Sequence, residues 1–414
     1  MQGGRDHKLI SDRIVNKNGE DNMKKIIILL SAVTMVMFLG CSKETRKSES
    51  VLDNPDMHIS MGMKFFNEGS YDEAKKEFDD AIKIDWKKED KAGAYAGLGM
   101  YYAVKGDKKK AFDNAKEAIS LNSKLPLANT CYGRTIMFAN RGIDGDEWIK
   151  DAYKFFDKAI KLADELRDNK ALAEAHYFKG IASKSAYKFG AAKESFAEVV
   201  KMKGLYAAEA NREWEIVQMI ERARPGTKVG AKVALLDQVG KAEIAVLFIE
   251  EMKIEQVLAK REKKEYDNTF ISPDDPLKYT EAEQAKALAN DIEGHWAKSW
   301  IKSVLEKGVM ENAPDHKFYP DKKITRAEYS LMLLRVMVMI TGDESLYTKH
   351  FGETASMFND VRTDHYAYNA MAVCASRGIM KANMNGEFEL NKTVSGAEAL
   401  LIIRDFQNAL SLTF

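Results

Sequence analysis

The 414-residue chain has little cysteine, little proline and no surplus of either charge, and each shortage removes a class of protein. Three cysteines, Cys41, Cys131 and Cys374, are too few to build an exported fold on disulfides. Cys131 and Cys374 fall among apolar helical positions and read as small buried hydrophobes, with a bridge between them left open. Seven prolines among abundant Ala, Lys, Glu, Met and Leu point to an all-α protein. Lysine plus arginine total 63 and aspartate plus glutamate total 63, which leaves no field to attract nucleic acid. Catalytic signatures are missing too: there is no H-E-x-x-H, no C-x-x-C pair and no G-x-x-x-x-G-K phosphate loop. The seven histidines are scattered. The expectation is a protein that is not an enzyme and holds neither cofactor nor metal.

What is present begins with an address. Residues 1–22 are polar and precede a better start at Met23-Lys24-Lys25. Residues 26–39 are apolar apart from Ser31 and Thr34, and Gly40-Cys41 and a polar run follow. A basic opening, a short apolar stretch and a small residue form an export signal, here residues 23–40, and the stretch is too short for a permanent membrane helix. Phe38-Leu39-Gly40-Cys41 resembles a bacterial lipobox, with Phe38 where leucine is usual. That resemblance implies cleavage before Cys41 and acylation of its sulfur and its new amine. Several chains matter, because one acyl chain binds a membrane only marginally. It also implies an exported, lipid-anchored envelope protein. In a cell with two membranes, Ser42 suits the outer membrane; otherwise the anchor lies on the outer face of the cytoplasmic membrane. Residues 41–54 read as a flexible tether.

Residues 55–222 carry an internal repeat. Gly62, Phe65, Gly69, Tyr71, Ala74, Phe78 and Ala81 recur at an offset of 37, from Gly99 through Ala118. Looser copies follow at Gly133, Ala152, Phe156 and Ala159, and at Gly180, Ala192, Phe196 and Val199. Small residues let paired helices approach, aromatics fill the space beside them, and glycines in EGS and KGD cap the first helix. The pattern resembles the tetratricopeptide repeat (TPR). The resemblance implies a solenoid whose concave face binds a partner protein.

A second repeat fills residues 223–414. One copy, over 291–340, reads Asp291-Ile292, His295-Trp296-Ala297, Gly308-Val309, Phe318-Tyr319-Pro320 and Ile324-Thr325-Arg326-Ala327-Glu328. Another, over 358–410, reads Asp360-Val361, His365-Tyr366-Ala367, Gly378-Ile379, Phe388 and Val394-Ser395-Gly396-Ala397-Glu398. A degraded copy over about 211–260 ends Val239-Gly240-Lys241-Ala242-Glu243 and borrows its opening helix from residues 211–222. The spacing predicts a helix from His295 to Lys307, with Trp296, Ala297, Trp300, Ile301 and Val304 as its buried stripe. Gly308 stops it, and Thr325 with Glu328 forms a capping box, repeated by Ser395 with Glu398.

These elements resemble the S-layer homology (SLH) domain, which commonly comes in threes as a three-pronged unit. The resemblance implies binding to a wall polymer, either peptidoglycan or an acidic secondary glycan. Carried over residue by residue, it assigns the glycan contact to Trp296 and Arg326, with Lys241 as a weaker cation in the first copy. Gly396 leaves the last copy uncharged. His295, Glu328, His365 and Glu398 are assigned structural places. The whole chain then reads as a tether from membrane to cell-wall polymer. The alternative is an envelope assembly factor whose TPR face binds an exported protein, with the SLH copies as scaffold.

Overall fold

The computed structural model describes residues 45–50, 53–142, 147–261 and 289–411. Cys41 and the export signal lie outside them. Among the described residues every extended element is a helix, apart from isolated bridges. No described helix is long and apolar enough to cross a membrane. Among the described residues Cys131 and Cys374 are buried and form no disulfide.

The chain divides into two compact units, Met1–Ala139 and Asn140–Phe414. In the first, α1 (Pro55–Asn67) pairs with α2 (Tyr71–Lys83), and α3 (Ala92–Val104) with α4 (Lys108–Leu121). Then α5 (Pro126–Ala139) packs on both α3 and α4. Asn54 caps α1 by accepting the Met57 N–H, and Pro55 follows at the first turn, where its missing donor costs nothing. The turns pivot on Gly69 at φ 85° and Gly106 at φ 83°, the left-handed region that glycine occupies without strain. Phe78 is fully buried, and its ring fills the space left by two missing side chains. A Cβ on Gly62 would lie 2.5 Å from that ring, and one on Gly97 2.3 Å. These helical pairs fit a repeat solenoid.

The second unit opens with α6 (Glu147–Glu165), α7 (Asn169–Ser185), α8 (Phe189–Met202) and α9 (Ala207–Ala223), each packed on the next. Gly180 against Phe196 repeats the Gly62–Phe78 contact, again at 2.5 Å. The remaining helices are α10 (Lys228–Ala234), α11 (Lys241–Glu250), α12 (Ile254–Arg261), α13 (Lys298–Glu306), α14 (Arg326–Thr341), α15 (Tyr368–Ser376) and α16 (Gly396–Ala409). The division falls inside the stretch expected as one solenoid, at residue 139 and not at 222. Helix α9 packs on α8 and also against α16, so the later helical pairs merge with the C-terminal copies.

One expectation changes at the N-terminal end. The stretch read as a flexible tether is pinned at Arg46. Its N–H donates to the Lys83 carbonyl and its carbonyl accepts from the Asp85 N–H, both at 2.8 Å. Its guanidinium grips Asp53, with one nitrogen 2.7 Å from Oδ1. His58 continues the chain of contacts, with Nε2 2.9 Å from Asp53 Oδ1 and Nδ1 2.6 Å from Glu77 Oε2.

Candidate functional site

The C-terminal copies meet in a ring of backbone hydrogen bonds. Val239 N–H donates to the Val394 carbonyl at 2.9 Å, Val394 to Ile324 at 2.9 Å, and Ile324 to Val239 at 3.1 Å. Each residue precedes the second helix of its own copy, so each copy starts that helix against its neighbour. Accordingly α11 packs on α13, α14 on α15, and α16 on α9. Helix α9 thus stands against α16 as α13 stands against α11 and α15 against α14.

Local chemistry makes these starts. Thr325 and Glu328 form a reciprocal capping box on α14, whereas on α11 only half of it exists: the Glu243 carboxylate accepts the Gly240 N–H at 2.7 Å, and glycine has no side chain to return the bond. Ser395 caps α16, but the Glu398 carboxylate departs from the expected device and pairs with Arg326 instead. His295 Nδ1 accepts the Ala297 N–H at 3.1 Å, and His365 Nδ1 accepts the Ala367 N–H at 3.2 Å. This turn delays α13 until Lys298, so Trp296 precedes the helix and stands 53% exposed instead of joining the buried stripe. Ala297, Ile301 and Val304 are buried as expected.

Two carboxylates escaped the assignment of roles from sequence. Asp291 accepts the Phe318 and Tyr319 N–H groups at 2.8 and 2.7 Å. Asp360 accepts those of Phe388 and Glu389 at 2.7 and 2.8 Å. Both turns hold a residue in the left-handed region, Tyr319 and Glu389 at φ 57°. Asp291-Ile292 and Asp360-Val361 open their copies at the same motif position, which is the signal the sequence carries.

Arg326 is where the structure departs most from expectation. It is 6% exposed and points into the third copy. Its Nε donates to the Phe388 carbonyl at 2.7 Å, one terminal nitrogen to the Lys381 carbonyl at 2.8 Å, and the other to Glu398. The guanidinium carbon lies 4.9 Å from the Phe388 ring centre. Arg326 serves the junction of the second and third copies, whereas Trp296 lies beside Trp300, whose Nε1 donates to Glu250 of the first copy at 2.9 Å. Lys241 makes the matching handover one copy earlier. Its Nζ donates to the Glu311 carbonyl at 2.8 Å and lies 4.4 Å from the Phe318 ring centre.

The third junction is closed. A Cβ on Gly396 would lie 1.8 Å from the Val233 carbonyl oxygen, so backbone of α10 occupies the volume an arginine side chain would need. A buried polar hub seals the same junction. The Glu251 carboxylate accepts from Gly226 N–H at 2.9 Å and Thr227 N–H at 3.0 Å, and it pairs with Arg404. The Arg404 Nε donates to the Ala223 carbonyl at 2.7 Å.

The family model for the S-layer homology domain matches residues 290–330 and 358–400. These two copies are S-layer homology domains. The chain is similar to S-layer protein EA1 of Bacillus anthracis, 31% identical over 121 residues, which are 29% of this chain and 13% of that protein. It is similar to the cellulosome-anchoring protein of Acetivibrio thermocellus, 29% identical over 110 residues, 27% of this chain and 23% of that protein. It is also similar to the amylopullulanase of Thermoanaerobacterium thermosulfurigenes, 31% identical over 94 residues, 23% of this chain and 4% of that enzyme. In each case the chain spans less than a quarter of the relative's length.

The ring leaves two junctions of different chemistry. At the junction of the second and third copies the cation is consumed by Glu398 and two carbonyls. At the junction of the first and second, the one hydrogen bond of Lys241 Nζ among the described residues goes to the Glu311 carbonyl, which leaves two of its three donors. Burial lowers the pKa of Lys241, and repulsion from Lys322 lowers it further. Lys322 itself reaches Glu328 at 2.6 Å. Tyr319, three residues before Lys322, is 43% exposed. Two cations with exposed aromatic faces can take an anionic, ring-shaped ligand.

Proposed function

We propose that the chain is an envelope protein that ties a membrane to an acidic cell-wall polymer and has no catalytic role of its own. The observation that carries the wall end is the pair of SLH copies closed into a three-membered ring. Similarity to an S-layer protein and to a cellulosome-anchoring protein supports a surface location. The glycan engages the junction of the first and second copies. Lys241 and Lys322 supply its cations and Trp296 an aromatic face, while Arg326 acts as a structural lock. Cys41 carries the lipid at the membrane end, and the helical pairs of residues 55–222 offer a surface for a partner protein.

A pull-down of purified residues 42–414 with cell-wall sacculi tests the wall end. Enrichment that falls at least about tenfold in Lys241→Ala, the loss expected for one good charge-assisted contact, supports the assignment. Sacculi that retain no wild-type protein would overturn it. The burial of Arg326 favours one second reading, in which the SLH ring is only scaffold and the helical pairs bind an exported protein. Unaltered retention of Lys241→Ala together with Trp296→Ala would favour that reading.

A further inference from the structure

We infer that the first helical hairpin lies against the lipid interface, with Trp86 inserted at headgroup level, and does not swing free on a tether. The inference rests on the lipid anchor at Cys41 proposed above. The chain between Cys41 and Arg46 is five residue steps, at most about 18 Å when fully extended. Arg46 is no free end. Its backbone pairs with residues 83 to 85 through two 2.8 Å hydrogen bonds, and its guanidinium holds Asp53 just before α1. Any membrane holding Cys41 therefore lies within that reach of the end of α2.

The residues placed there fit an interface. Ile84 is fully buried beside Arg46, and Trp86, two residues on, is 49% exposed. An indole with an apolar body and one N–H donor sits favourably at headgroup level. Lys87 and Lys88 follow and are exposed, with stems long enough to lie along the interface while their charges stay in water. Asp85, Glu89 and Asp90 balance Lys87, Lys88 and Lys91, so the contact is interfacial and does not depend on anionic lipid.

The test uses the full chain carrying its lipid at Cys41, reconstituted in phosphatidylcholine vesicles with or without lipid brominated near the headgroup. Five tryptophans contribute emission, so the Trp86 share is the difference between wild type and Trp86→Phe. The expected result is loss of that share in brominated vesicles. Asp53→Asn, which loosens the Arg46 strap, should restore it while the protein still floats with the vesicles. An unquenched Trp86 share in protein that floats, with acylated Cys41 seen by mass spectrometry, overturns the inference alone. Unacylated Cys41 in protein that does not float overturns the anchor, and this inference with it.

Discussion

Replacing Arg326 with alanine separates a lock from a ligand contact. The side chain is 8% exposed and satisfies the Lys381 and Phe388 carbonyls along with Glu398. Its removal strands a largely buried carboxylate, 21% exposed, together with two carbonyl oxygens. Breaking such a pair from one side costs about 3–5 kcal/mol. A domain of this size loses about 2–4 °C for each kcal/mol, which puts the melting temperature of the C-terminal unit roughly 10 °C lower. Thermal denaturation followed by circular dichroism reads this directly. Arg326→Met with Glu398→Leu should recover about 1–3 kcal/mol of the loss of the single Arg326→Met variant, because the stranded charge disappears with its partner. A wild-type melting temperature in Arg326→Ala, combined with lost binding to sacculi, would refute the reasoning and return Arg326 to the glycan.

Three further outcomes follow from particular residues. Gly396→Ala drives a methyl into the Val233 carbonyl, so it should cost about 3 kcal/mol or more by forced displacement of α10, measured by urea denaturation. Burial of the His58 ring opposes its charge, but hydrogen bonds to Asp53 and Glu77 outweigh that and hold its pKa above 6.5. A raised folded-state pKa means the stabilisation is complete below pH 6.5 and is lost as pH rises through the higher folded value. Melting of the first unit should therefore weaken over that window in wild type and become flat in His58→Gln. Asp291→Ala should loosen the Phe318 turn, which relies on it for two backbone bonds, and cost about 2 kcal/mol in the same urea assay, with Asp360→Ala behaving alike in the third copy.

Much of the local architecture was legible along the chain. Gly69 and Gly106 announced their turns because few residues tolerate the left-handed region. Thr325 with Glu328 announced the start of α14 because the capping box needs only residues three apart. The small residue at Gly62 announced the close approach of Phe78. Such features depend on neighbours within one or two turns, and a repeated pattern makes them readable. Trp296 was misplaced by a few residues, because the His295 turn and the helix it precedes share one apolar rhythm.

What the sequence determined by itself was therefore the helical character, the Thr325 capping box and the residue types at each copy's junction. What the tertiary structure decided was whom each junction residue meets. Because each copy begins its second helix against the next one, Arg326 finds its partners at Lys381, Phe388 and Glu398, and Lys241 at Glu311 and Phe318. Gly396 meets the backbone of α10. These pairings join positions from 55 to about 160 residues apart, and nothing in the period of either repeat encodes which copy lies across the ring. Closure of the ring turned one cation into a buried lock and left the other partly unspent.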